Sequence, residues 1–157
     1  MTPFRAGSLI VVAMIVFDQL SKWWILSVVM QPPQRIPVTG FFDLVLVMNR
    51  GVSFGMLGGA PGWVSIGLIV FAIFLAVGLS IWMWRAETML LGLSLGLVVG
   101  GAIGNVIDRI RFGAVVDFLD FYVGTYHWPA FNVADSAITV GVILLILDSL
   151  KSGHEKP

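Results

Sequence analysis

Residues 63–84 read WVSIGLIVFAIFLAVGLSIWMW, an unbroken apolar run with Trp63 at one end and Trp82 and Trp84 at the other. The nineteen helical steps from Trp63 to Trp82 span roughly 28 Å, about one hydrocarbon thickness. Tryptophan prefers the membrane–water interface, so these residues read as belt positions. Working outward, three further apolar stretches occupy about residues 8–30, 89–107 and 131–150. Each approaches the roughly 20 apolar residues that a bilayer core requires. The composition agrees. Of the 157 residues, 58% are hydrophobic and 11% charged, and mean hydropathy is +0.97. A soluble domain carries about 25% charge, so this chain lacks the polar surface to cover a globule in water.

The predicted fold is therefore an all-α polytopic membrane protein. One integral membrane domain over residues 1–157 carries four transmembrane helices, with loops at about 31–62 and 108–130. The first stretch holds Arg5 and an apolar run, as a signal peptide would. The run is long, contains Asp18 and Lys22, and has no small-residue cleavage site after it, so it reads as a retained span. Four crossings put both termini on one side and both long loops on the other. Positive charge decides orientation weakly. Arg5, Arg85, Lys151 and Lys156 on one side balance Arg35, Arg50, Arg109 and Arg111 on the other. Arg5 tips the balance toward cytoplasmic termini. The first long loop carries Pro32, Pro33 and Pro37, then Phe41, Phe42, Leu44, Val45, Leu46 and Val47. Such residues between Gly and Pro predict short strands, hence a small sheet from the first loop.

Several chemistries are excluded early. Nine basic and nine acidic residues cancel, which leaves no electrostatic footprint for nucleic acid. Cysteine is absent, removing thiol nucleophiles, disulfides and thiolate metal sites. His127 and His154 are the only histidines and form no HExxH pair, so no metal site is expected. His127, beside Trp128, reads as interfacial.

The unusual polar residues gather toward one membrane face. Asp18 and Lys22, four apart, share a helix face, acid before base. They read as an ion pair docking the first span, or else as reactive groups, since either charge alone in hydrocarbon is costly. Glycines 92, 96, 100 and 104 form a close-packing stripe, and its next step is Asp108. Asn105, Asp108 and Arg109 suit either a helix end or a substrate contact. Asp117 lies in Ala114-Val115-Val116-Asp117-Phe118-Leu119, and Asp135 in Phe131-Asn132-Val133-Ala134-Asp135-Ser136. Two acids in apolar surroundings that meet share one proton. One can then take a proton from water while the other polarises a peptide carbonyl. The early-helix position of Asp135 favours negative charge and so the base role. The plainer alternative makes one a helix-start residue and the other a loop acid. Asn132 caps the last span or orients Asp135. Asp120 reads as solvated, one turn from Asp117 if that stretch is helical. Asp148 reads as an interfacial partner of Lys151. Asn49-Arg50-Gly51-Val52-Ser53-Phe54-Gly55 forms a turn or lines a substrate groove.

In order along the chain, five motifs resemble those of the lipoprotein signal peptidase (signal peptidase II) family. They are Asp18-Gln19-x-Ser21-Lys22, Asn49-x-Gly51-x-Ser53-Phe54, Gly101-x-x-Gly104-Asn105-x-x-Asp108-Arg109, Val115-Val116-Asp117-Phe118 and Phe131-Asn132-x-Ala134-Asp135. Ser53 stands where alanine is more usual. The resemblance implies an aspartic endopeptidase of the bacterial cytoplasmic membrane that removes the signal peptide from diacylglyceryl-modified prolipoproteins, cutting just before the lipidated cysteine. It makes Asp117 and Asp135 the catalytic dyad. It gives Asn49, Gly51, Asn105, Arg109 and Asn132 roles in shaping or binding at the site, and Asp18, Lys22 and Asp108 supporting roles. It also implies cytoplasmic termini, an extracytoplasmic dyad and sheet, and no metal or organic cofactor. The expected partners are the lipidated prolipoprotein and membrane lipid, with the chain acting as a monomer. Three rivals make other demands. A proton-coupled transporter needs acids spread across the membrane, a serine–lysine peptidase needs Lys22 beside a serine, and a structural protein needs no reactive site.

Overall fold

The computed structural model describes residues 1–51 and 62–154. Four helices are long and apolar enough to cross a membrane among these residues. Helix α1 (Pro3–Trp24) runs into a π-helical turn, Ile25–Val29, and strands β1 (Ile36–Thr39) and β2 (Phe42–Asn49) follow. Then come α2 (Gly62–Trp84), α3 (Met89–Phe112), β3 (Val115–Val123), β4 (Tyr126–His127) and α4 (Val133–His154). The side chain of Thr2 caps α1 by accepting from the Arg5 N–H, with Pro3 in the first turn. Thr88 caps α3 through the Leu91 N–H. Gly113, at φ 69°, ends α3 in the left-handed conformation that glycine adopts without a Cβ penalty.

Helix α3 is the hub, packed against α1, α2 and α4. Its glycine stripe explains the contact with α1. A Cβ on Gly96 would lie 2.5 Å from the Gly7 carbonyl oxygen. One on Gly100 would lie 2.9 Å from Met14 Cβ, and one on Gly104 2.6 Å from Asp18 Oδ2. Both sets of numbers rise together, so α1 and α3 run parallel, as the first and third crossings must. On the other side Gly101 faces the Ala134 carbonyl while Gly141 faces Ser94, so α4 runs antiparallel to α3. Backbones this close gain dispersion contacts that lipid tails cannot displace. The large apolar side chains of α2, such as Phe71 and Phe74, face outward instead.

The sheet corrects the sequence expectation. It has four strands in the order β1-β2-β3-β4, and β3 and β4 come from the connection between α3 and α4. The protein is thus not all-α, and the sheet does not arise from the first loop alone. Pairing of β2 with β3 is antiparallel, from Phe42↔Phe121 through Asp43↔Asp120 to Asn49↔Val115, with a bulge between Leu44 and Val47. Ile25, Met30 and Phe118 form a small core where the π turn meets the sheet. Phe131 exchanges backbone hydrogen bonds with Leu119, which draws the start of α4 against β3. The end of α1, the end of α3, the sheet and the start of α4 therefore converge.

Candidate active site

That convergence places Asp117, on β3, and Asp135, in the first turn of α4, around one side chain. Asn132 Nδ2 donates to Asp117 Oδ1 at 2.7 Å, and the Asn132 backbone N–H donates to Asp135 Oδ2 at 3.2 Å. Asn132 Oδ1 in turn accepts from the Asp135 N–H at 2.9 Å. The reciprocal pair is a capping box in which Asn and Asp take the usual Ser/Thr and Glu places. Local helix-start chemistry thereby fixes the Asp135 side chain. The second oxygen of each acid is also held: Asn49 Nδ2 donates to Asp117 Oδ2 at 2.9 Å, and Asn105 Nδ2 to Asp135 Oδ1 at 2.8 Å. Neither acid has a salt-bridge partner among the described residues. Burial pushes the Asp117 carboxyl up from 3.8 to about 6, and the neighbouring Asp135 charge adds to the rise. The amides of Asn49 and Asn132 pull the other way.

A cavity of about 690 Å³ opens on both acids. Asn49, Gly51, Asn105 and Arg109 line it, with Leu68 of α2 and Trp128. Arg109 Nη1 reaches the Asn105 carbonyl at 3.5 Å, while its buried Nε has no partner among the described residues. A cationic fork with spare donors beside two acids and an apolar wall can take a peptide carbonyl or an ester oxygen. Ser53, Phe54 and Gly55 of the second motif lie outside the described residues.

Asp18, Lys22 and Asp108 stand beneath this site, all fully buried. Lys22 Nζ lies 2.8 Å from both Asp18 Oδ2 and Asp108 Oδ2. Asp18 Oδ1 accepts the Ala134 N–H at 3.0 Å, and Asp108 Oδ2 the Val116 N–H at 3.1 Å. The triad therefore ties α1 and α3 to the two segments that carry the acids. Ser21 donates to the Asp18 carbonyl, not to Lys22. With both carboxylates holding its ammonium, Lys22 is not the free amine that a serine–lysine pair needs. Asp117 and Asp135 also sit at one end of the bundle, unlike a relay spread across it.

Sequence reasoning missed a second buried cluster. Asp120 is not solvated and not on a helix. It is buried on β3, opposite Asp43, and both its oxygens meet His127 Nδ1 at 2.9–3.0 Å. Asp43 pairs with Arg35. The β-branched and aromatic run Val115–Val123, bounded by Gly113 and Gly124, is the signal for a strand that was available. Asp148 accepts from Thr88 Oγ1 at 2.8 Å.

Against known families, the profile described as Signal peptidase (SPase) II matches residues 10–151. This chain belongs to the signal peptidase II family. The lipoprotein signal peptidase of Methylorubrum extorquens (strain PA1) is 45% identical over 163 residues, spanning 100% of this chain and 92% of the relative. That of Burkholderia ambifaria (strain MC40-6) is 48% identical over 152 residues, 96% and 89% of the two chains. A bacterial membrane enzyme solved by the in meso method at 2.3 Å superposes with a TM-score of 0.80 at 31% identity, covering 96% of this chain and 91% of that one. Another, at 1.9 Å, gives 0.77 at 32%, covering 92% of each. Membership of the signal peptidase II family makes the chain a bacterial membrane protease with an aspartic mechanism, and its four membrane-length helices agree with that.

Proposed function

We propose that this protein removes the signal peptide from diacylglyceryl-modified prolipoproteins, cutting just before the lipidated cysteine, with Asp117 and Asp135 as the catalytic dyad. The observation that carries the reading is the bridging of two acids, far apart in sequence, by the single side chain and backbone of Asn132. Asp135, at a helix N-terminus with two N–H donors, is the base. Asp117, in an apolar setting, holds the shared proton. Asp135 takes a proton from water, the resulting hydroxide adds to the scissile carbonyl, and Asp117 donates its proton to the developing oxyanion. On collapse, the C–N bond breaks, Asp135 returns its proton to the amine, and Asp117 regains its own. The products are a carboxylic acid, which then ionises in water, and an amine, with no covalent enzyme intermediate.

Asn49, Asn105 and Asn132 hold the acids. Arg109 and Gly51 line the groove for the extended substrate backbone. Asp18, Lys22 and Asp108 brace the floor. The chain acts as a monomeric, single integral domain of the cytoplasmic membrane with both termini in the cytoplasm and the dyad and sheet on the outer side. A dyad at the helix ends suits the chemistry, because a lipidated substrate stays in the bilayer while its scissile bond meets water. The test is incubation of the purified protein with one prepeptide, with and without diacylglyceryl on its cysteine. Cleavage of the lipidated form alone is expected. Equal cleavage of both forms would remove the lipid from the account, and cleavage of neither would remove the peptidase.

A further inference from the structure

The buried lysine has a role beyond bracing. Lys22 Nζ reaches Asn105 Oδ1 at 3.1 Å, in addition to Asp18 and Asp108. An ammonium has three N–H donors and no acceptor, so these partners use it fully. Asn105 Oδ1 also accepts from Asn132 Nδ2 at 3.2 Å, while Asn105 Nδ2 donates to Asp135. A reversed Asn105 amide would set its NH2 group against the ammonium and a second NH2, and its oxygen against a carboxylate. Hydrogen-bond logic therefore allows one orientation only. Asn132 is locked in the same way, since its Nδ2 also donates to Asp117 Oδ1 and the Val116 carbonyl.

We propose that Lys22 is a positioning residue, holding the Asn105 amide so that its NH2 group faces Asp135. The inference rests on the peptidase reading above and deepens it. Lys22 touches no substrate. It acts through Asn105, which supplies a donor to Asp135 and an acceptor to the amide that holds Asp117. The charged groups around this junction are Asp18 and Lys22 from α1, Asp108 and Arg109 from α3, Asp117 from β3 and Asp135 from α4. Helix α2 contributes none. Without the ammonium only Asn132 Nδ2 holds the Asn105 oxygen, so the amide is fixed less firmly and its NH2 group no longer stays set against Asp135.

The test measures cleavage of a lipidated prepeptide from acid to alkaline pH by the full-length protein. Wild type is compared with Lys22→Met, Asn105→Ala and the double variant. Lys22→Met should lower kcat near neutral pH by about tenfold or more with KM nearly unchanged, and move the acid limb to higher pH. In the Asn105→Ala background the same substitution should cost little more, because the two effects share one route. A uniform loss at every pH, or fully additive losses, would overturn the proposal. Should Lys22→Met not fold, the charge-balanced pair Asp18→Asn/Lys22→Met carries the same comparison. Failure of both to fold, or full activity of the balanced pair, also overturns it. Failure of the peptidase reading looks different: wild type would not cleave, or Asp117→Asn would cleave normally.

Discussion

Asp117 and Asp120 stand three residues apart on one strand, both buried, yet they keep different company. Asp120 faces Asp43 across the sheet and is answered by the ring of His127, with Arg35 on Asp43. Tyr122 stacks on that ring at 4.9 Å, and Arg35 lies 5.3 Å from the Tyr122 centroid. Asp117, pointing to the opposite face of the strand, receives neutral amides only. Asp120 is held by an imidazole nitrogen, and its cross-strand neighbour Asp43 by a guanidinium. An acid held only by amides, beside a second acid, can gain and lose a proton. The lesson is that burial alone does not distinguish these two carboxylates; the groups that hold them do.

The sharpest break in that comparison is kinetic. Asp117→Asn or Asp135→Asn should lower the cleavage rate by about 10²–10⁴-fold or more, measured on a lipidated prepeptide. Asp120→Asn should leave the rate within about twofold, in line with a residue outside the reacting groups. Equal losses at 117 and 120 would erase the distinction drawn here.

Next in size is the packing that brings the acids together. In Gly96→Val the new Cβ would lie 2.5 Å from the Gly7 carbonyl oxygen, a backbone atom that cannot swing aside. The helices must separate, at a cost of several kcal/mol, roughly 3 or more. A thermal melt in detergent should fall strongly, and cleavage should fall with it. Gly67→Ala on α2, where a Cβ meets nothing within 4 Å, should leave both unchanged or raise the melt slightly.

Stability against pH sharpens the comparison further. The folded Asp117 carboxyl binds its proton more tightly than the unfolded chain does, at about 6 against 3.8. The stabilisation this gives is full below pH 3.8 and is lost as pH rises to about 6. Asp117→Asn removes that dependence. Relative to wild type, its melting temperature should therefore improve between pH 4 and pH 6, by up to about 3 kcal/mol of stability, then level off. The smallest effect belongs to the other acid. Replacing half-exposed His127 with glutamine should destabilise by about 0.5–1 kcal/mol and leave cleavage intact.

Much of the frame was legible in the sequence. The tryptophan-bounded run of α2, the four-residue glycine spacing of α3 and the Asp18–Lys22 step are local patterns with direct physical meaning. The apolar settings of Asp117 and Asp135 made them candidates beside the plainer reading of a helix-start residue and a loop acid, and the five-motif resemblance named them as the dyad. The sheet was harder, because β2 pairs with a strand some 70 residues away, as the Asn49–Asp117 bond across 68 positions illustrates. No local pattern records such a pairing. Without it, a strand over residues 115–123 has no known partner, and the match of Asp120 with Asp43 and His127 is invisible. The Leu44–Val47 bulge, which sets Asn49 in reach of Asp117, depends on the same pairing.

The most direct measurement is a titration of the Asp117 carboxyl, by carbon-detected resonance of labelled aspartate, in wild type and in Asp135→Asn. The account predicts a value of about 6 in wild type and a lower one once the Asp135 charge is gone. An ordinary value near about 3.9 in wild type, or no response to the loss of Asp135, would show two independent acids and contradict the dyad.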